Sequence, residues 1–230
     1  MIFNKFFILF KIGRKIGKSN IINIVSETHK IPVFIKLFFN LLAFSFSSSN
    51  NTKSKGKENL SESIQEMGTT FIKLGQFLAT RPDIIGEKLS KELESLQDKL
   101  PPFSKKEAEK IIIENLGQSN FDDIIDLSEP IAAASIAQVH KAKIKEDNII
   151  KNVAIKVLRP NIKKIFNDEI DAIMLLAYIV ESLISKTKRL KLIEVVFLFK
   201  EITNHEMDLR FEAAAANEYA ENTKNDLGFF

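Results

Sequence analysis

Between residues 124 and 158 the spacing of apolar side chains changes from the three-and-four rhythm of helices to short runs. No other feature constrains the fold as much. The runs IAQVHKAKI (136–144) and NVAIKVL (152–158) flank the polar segment KEDNIIKN, a pattern that reads as two strands joined in a hairpin. Helical periodicity lies on both sides. Downstream, Pro160 can open a short helix, DEIDAIMLLAYIVESLIS predicts a long apolar helix, and another is expected over roughly 190–222. The order predicts an α+β fold.

Upstream, Ile64, Met67, Phe71, Leu74 and Leu78 recur at helical spacing from Leu60 onward, so one stripe is expected to face a core. Thr69, Lys73, Gln76 and Thr80 form a second, polar stripe, which lets Lys73 and Gln76 address one target. Gly75 lies inside this helix, where glycine costs about 1 kcal/mol relative to alanine; it implies a close approach of another backbone or a ligand. Arg81-Pro82-Asp83 breaks the helix, and a further helical pattern runs to Lys99 before Pro101-Pro102. Ser104 and Glu107 form a capping box for a helix ending at Gly117.

The chain has no cysteine, which excludes disulfides, thiolate metal sites and cysteine nucleophiles. Its chemistry must come from oxygen and nitrogen groups. Charge is concentrated at one end: residues 1–50 hold Lys5, Lys11, Arg14, Lys15, Lys18, Lys30 and Lys36 against Glu27, a local +6 in a chain of net +3, leaving −3 for the remainder. The same region carries FNKFFILFKIGRKIGK and IPVFIKLFFNLLAFSF. Both runs are broken by lysine and fall short of the ~20 apolar residues that span a bilayer. Two readings fit residues 1–46: interfacial helices on an anionic membrane surface, or a helix pair packed on the domain. No small-residue cleavage site follows the first run, against a signal peptide. The serine- and asparagine-rich stretch at 47–58 reads as a linker.

Motif order carries the functional reading. Ala132-Ala133-Ala134-Ser135 is a small-residue turn between strand-like runs, and Val153-Ala154-Ile155-Lys156 follows on the next strand; the latter is the pattern in which a kinase lysine meets nucleotide phosphates and pairs with a helix glutamate. Carboxylates follow in His205-Glu206-Met207-Asp208-Leu209-Arg210-Phe211-Glu212. Together with Lys73-Leu74-Gly75-Gln76, these residues resemble the atypical kinase-like family called UbiB, ABC1 or ADCK, associated with ubiquinone biosynthesis. The resemblance covers about residues 60–230.

It implies a protein-kinase-like small lobe, an incomplete antiparallel sheet plus helix over 119–230, preceded by a family-specific helical extension over 59–118. Lys73, Gly75 and Gln76 match the family's Lys-x-Gly-Gln motif, with Gly75 letting the helix lie close over the nucleotide site. Ala132, Ala133, Ala134 and Ser135 replace a glycine-rich loop, with weaker or different phosphate cradling because alanine limits backbone freedom. Lys156 would contact the phosphates, with Glu212 as its ion-pair partner. Glu206 and Asp208 match the Glu-x-Asp motif, expected to engage Lys73 or the metal region. Two positions apart on a helix point about 200° apart, so both converge only if the helix is interrupted. Asp208 and Glu212, four apart, would share a face of that helix. His205 lacks a second histidine at zinc-protease spacing, and His140 reads as a strand residue with a satisfied ring.

The catalytic Asp, metal-binding Asn and Asp-Phe-Gly aspartate of a complete member have no counterpart after Glu212. Asp226-Leu227-Gly228 follows too soon to be the last of these. The expectation is therefore the N-terminal portion of a UbiB-like kinase or ATPase, inactive alone, cytoplasmic and associated with the inner membrane. ATP and Mg2+ are implied for the complete protein. Expected partners are the membrane surface, a separately encoded C-terminal half, and lipid or ubiquinone-pathway proteins, with no nucleic acid. The alternatives are an accessory role in polyprenylphenol hydroxylation and a non-catalytic remnant that binds membrane or a partner.

Overall fold

The computed structural model describes residues 2–19, 21–28, 60–96, 100–146, 149–226 and 228. The second apolar run and the serine-rich linker lie outside the described residues. The chain packs as two units, Met1–Asp98 with Lys164–Phe199, and Lys99–Lys163 with Lys200–Phe230.

The first unit is helical. It holds α1 (Ile2–Lys18), α2 (Ile21–Thr28), α3 (Leu60–Met67), α4 (Thr69–Ala79), α5 (Pro82–Ile85) and α6 (Glu87–Leu93), most of α9 (Ile162–Leu183), a 3-10 turn (Ser185–Leu190) and the start of α10 (Leu192–Glu206). The helix expected from Leu60 to Thr80 is two helices. Gly68 divides them at φ +104°, a backbone conformation that side chains disfavour. The expected apolar stripe nevertheless faces inward across the break: Met67 and Phe71 are buried with Ile12 and Ala172, and Ile64 and Leu74 pack on them. α4 is buried on more than that stripe, since Ile72 has no exposed surface. Leu60, Leu89, Leu93 and Leu96 form a second cluster. α1 divides its own surface. Ile8, Leu9, Ile12 and Ile16 pack into the first cluster, whereas Phe6, Phe7 and Phe10 are 52, 68 and 40% exposed.

The second unit is built on three antiparallel strands in the order β1 (Ile124–Ala133), β2 (Ala137–Glu146) and β3 (Ile149–Leu158). The strands run further than the apolar runs: β2 and β3 extend through most of KEDNIIKN and pair from Ala137 with Leu158 to Glu146 with Ile149. Alternation sorts the faces. Leu127, Ala142, Val153, Ile155 and Val157 point to one side, against Ala108, Ile111 and Ile112 of α7 (Lys105–Leu116) and Phe121 of α8 (Gln118–Asp122). Ser104 caps α7 as the sequence predicts, accepting from the Glu107 N–H, and Gly117 ends it. Lys141, Lys143 and Lys145 take the other face, which is solvated. β1 is irregular, with three register shifts, an arrangement that sharpens its twist. The chain is thus mixed helix and open antiparallel sheet, the class expected from the sequence.

Candidate functional site

Register determines which side chains meet on the open face of the sheet. Ala132 pairs with Val139, and Val139 pairs with Lys156, so the three form one row across β1, β2 and β3; Ala154 lies beside them, opposite Lys141. The row is small and apolar until Lys156. That side chain is 35% exposed, and its ammonium donates to Glu212 Oε2 at 2.6 Å. Residues 56 apart are thereby joined.

Glu212 stands in the first turn of α11 (Leu209–Asn222), and α11 exists because the single helix expected over 190–222 is broken. α10 ends at Glu206, and Asp208 is the N-cap of α11, with φ −98° and ψ 89°. The interruption that the Glu206/Asp208 pair required therefore falls between those two residues. It also removes the helix face that Asp208 and Glu212 were expected to share. The Asp208 carboxylate accepts from its own helix, from the Arg210 main-chain N–H at 3.2 Å and from the Arg210 guanidinium at 2.8 and 2.5 Å. The guanidinium chiefly, with help from the main-chain N–H, holds Asp208 down at about 2 from an ordinary 3.8.

The alanine segment is partly strand. Ala132 and Ala133 still belong to β1, and the turn proper is Ala134, Ser135 and Ile136, closed by the Ala134 N–H donating to the Ala137 carbonyl at 2.8 Å. Ala132 is exposed, whereas Ser135 and Ile136 are buried. One residue grips this turn from outside it. Arg159 donates from Nε and Nη2 to the Ala134 carbonyl at 3.0 and 2.8 Å, from Nη1 to the Pro101 carbonyl at 3.0 Å, and from its main-chain N–H to the Ile136 carbonyl at 2.9 Å. Its guanidinium lies 6.0 Å from the centre of the Phe103 ring. Sequence reasoning passed over Arg159; the available signal was a planar five-donor cation directly after the strand lysine run.

Behind the turn a buried polar chain fixes β2. Gln138 accepts from the Phe103 N–H at 2.9 Å and donates to the Phe103 carbonyl at 3.2 Å. Its amide nitrogen also meets His140 Nε2 at 2.9 Å, and His140 Nδ1 meets the Ser128 carbonyl at 2.8 Å. A carbonyl only accepts, so Nδ1 carries the proton and Nε2 accepts from the amide. Both ring nitrogens of His140 are thus engaged in structure.

Lys73, Gly75 and Gln76 lie on α4 in the first unit, whereas the alanine turn, Lys156, Glu206, Asp208 and Glu212 belong to the second. Lys73 and Gln76 are half-buried. The close approach implied by Gly75 is found inside its own unit: a Cβ there would stand 2.4 Å from Leu96 Cδ1 and 3.4 Å from Ile64 Cγ2. The nearest atoms to that position are the Leu96 and Ile64 side chains.

Along β3 a cleft of about 480 Å³ opens between Ile111, Asn115 and Leu116 on one side and Met207, Leu209 and Ala213 on the other. Lys156, Lys163, Asp208 and Arg210 give it a charged rim over an apolar floor. Among the described residues no group of three His, Asp or Glu side chains is placed to hold a metal ion.

An open three-stranded sheet whose third strand carries a lysine paired to a glutamate on a separate helix defines a kinase-like small lobe. The chain belongs to the ABC1 atypical kinase-like family, whose domain model matches residues 95–229. It is similar to the probable protein kinase UbiB of Marinobacter nauticus, 35% identical over 197 residues that make up 85% of this chain and 35% of the relative. The proteins of the same name from Vibrio cholerae and Pseudomonas aeruginosa are 38 and 32% identical over 73 and 93% of this chain. The chain spans between 31 and 40% of the length of these relatives.

Proposed function

We propose that this chain forms the nucleotide-gripping portion of an atypical kinase or ATPase that supports ubiquinone biosynthesis at a membrane. The Lys156–Glu212 pair carries the reading. A half-exposed ammonium held by one carboxylate keeps donors for phosphate oxygens, and the Ala132, Val139 and Ala154 side chains beside it offer small apolar contact to a planar base. ATP fits this donor set; when bound it supplies the transferable phosphoryl group. Among the described residues no group of three His, Asp or Glu side chains is gathered for a metal ion, and phosphoryl transfer depends on metal-holding groups. In this reading the metal-holding and acceptor-activating groups lie in the part of the relatives that the chain does not span. The 230 residues alone bind nucleotide without turning it over.

Calorimetry with ATP tests the first half: Lys156→Met should weaken affinity by about tenfold or more, the scale of a charge-assisted hydrogen bond to phosphate. Equal affinity in the variant would end the nucleotide reading. Phosphate release by the purified chain should match buffer, and turnover that disappears in Lys156→Ala would overturn the second half.

Membrane attachment is a second part of the proposal. No described helix is long and apolar enough to cross a membrane. What supports surface binding is α1, whose inner face is committed to the core while Phe6, Phe7 and Phe10 face outward beside a basic sequence.

A further inference from the structure

We propose that Arg159 is a positioning residue for the phosphate end of the nucleotide site, clamping the alanine turn into one conformation. This inference rests on the nucleotide reading above. A glycine-rich loop is mobile and adapts to phosphate by moving. Here the turn carbonyls of Ala134 and Ile136 are both taken by a single residue, the first by a two-pronged guanidinium and the second by the Arg159 main-chain N–H. The third nitrogen of the fork reaches Pro101, and Phe103, under the guanidinium, is tied in turn to Gln138 on β2. The turn, the segment before α7 and the end of β3 are therefore joined through one cation. Because a trans peptide fixes its C=O and the following N–H in opposite directions within one plane, holding the Ala134 carbonyl also fixes the direction of the Ser135 N–H. The turn next to Lys156 is set before any ligand arrives, so phosphate recognition depends on a side chain that need not touch the ligand.

Lysine at this position keeps the charge and loses the fork, which makes Arg159→Lys the informative variant. Amide exchange read by NMR should accelerate about tenfold or more at Ala134 and Phe103, while amides of the β2–β3 ladder keep their rates. Affinity for ATP should fall about fivefold or more with affinity for adenosine nearly unchanged; a role in general stability would lower both together. Unchanged exchange at Ala134 overturns the clamp, and parallel loss of ATP and adenosine binding overturns its role in phosphate recognition. If the unmodified chain binds no ATP, the nucleotide reading fails and with it the phosphate role, whereas accelerated exchange in the variant still establishes the clamp by itself.

Discussion

One methyl group at position 75 would collide with Leu96, and the consequence can be given a sign. Alanine gains about 1 kcal/mol of helix propensity over glycine but meets an overpacking cost of about 1–3 kcal/mol, so Gly75→Ala should lower stability by about 1 kcal/mol in denaturant unfolding. In a Leu96→Ala background the clash is gone, and the same change should become stabilising. Retention of the loss in that background would show that Gly75 answers to something other than Leu96. Lys156 and Glu212 behave differently: with side chains 35 and 60% exposed, their pair contributes at most about 1 kcal/mol, so Glu212→Gln should leave the melting temperature within about 4 °C while altering ATP affinity. Asp208 supplies a pH test. Its folded value lies below its unfolded one, so its stabilising effect is complete above about pH 4 and is lost as pH falls through about 2. A carboxyl NMR titration should find that low midpoint, and Arg210→Ala should return it toward 3.8.

Elements differ in how firmly they are held. α7 buries Ala108 and Ile112 against the sheet, whereas α11 has no fully buried residue and exposes Ala213 to Ala216. Its fixed points include the Asp208 cap, the Lys156 pair and the contact of Phe211 with the His205 ring. Amides of α11 should therefore exchange far faster than those of α7 and β2. Asp208→Ala should destabilise α11, and Asp208→Asn, which retains the cap but loses the ion pair, distinctly less. The strands and the capped helix α7 were legible because period, cap and stop residues agreed. Breaks were harder to see. Gly68 divides α3 from α4 through a backbone angle that hydrophobic spacing does not register, and Met207 divides α10 from α11 although the apolar rhythm continues across it. At the site, Lys156 and Glu212 came from motif order, while Arg159 and Gln138 work through main-chain carbonyls and amides, partners that side-chain patterns leave unmarked.

For the whole molecule, charge is the dominant asymmetry: +6 in residues 1–50 against −3 elsewhere. The full chain should sediment with vesicles containing anionic lipid, less at high salt, and the triple change Phe6→Ser, Phe7→Ser, Phe10→Ser should abolish most of that binding. Undiminished sedimentation of the triple variant would remove α1 as the anchor. Simple deletion of the first helix is a poorer test, because Ile8, Leu9, Ile12 and Ile16 belong to the core of the first unit. The pairing of Lys156 with a glutamate 56 residues later also has a consequence in time. At synthesis rates of about 5–20 residues per second, the ribosome delivers Glu212 roughly 3–11 s after Lys156. Hairpins close in microseconds, so β3 is paired long before its lysine has a carboxylate to meet. For those seconds the nascent lobe presents an uncompensated cation, and any cellular anion within reach can occupy the place that α11 later takes.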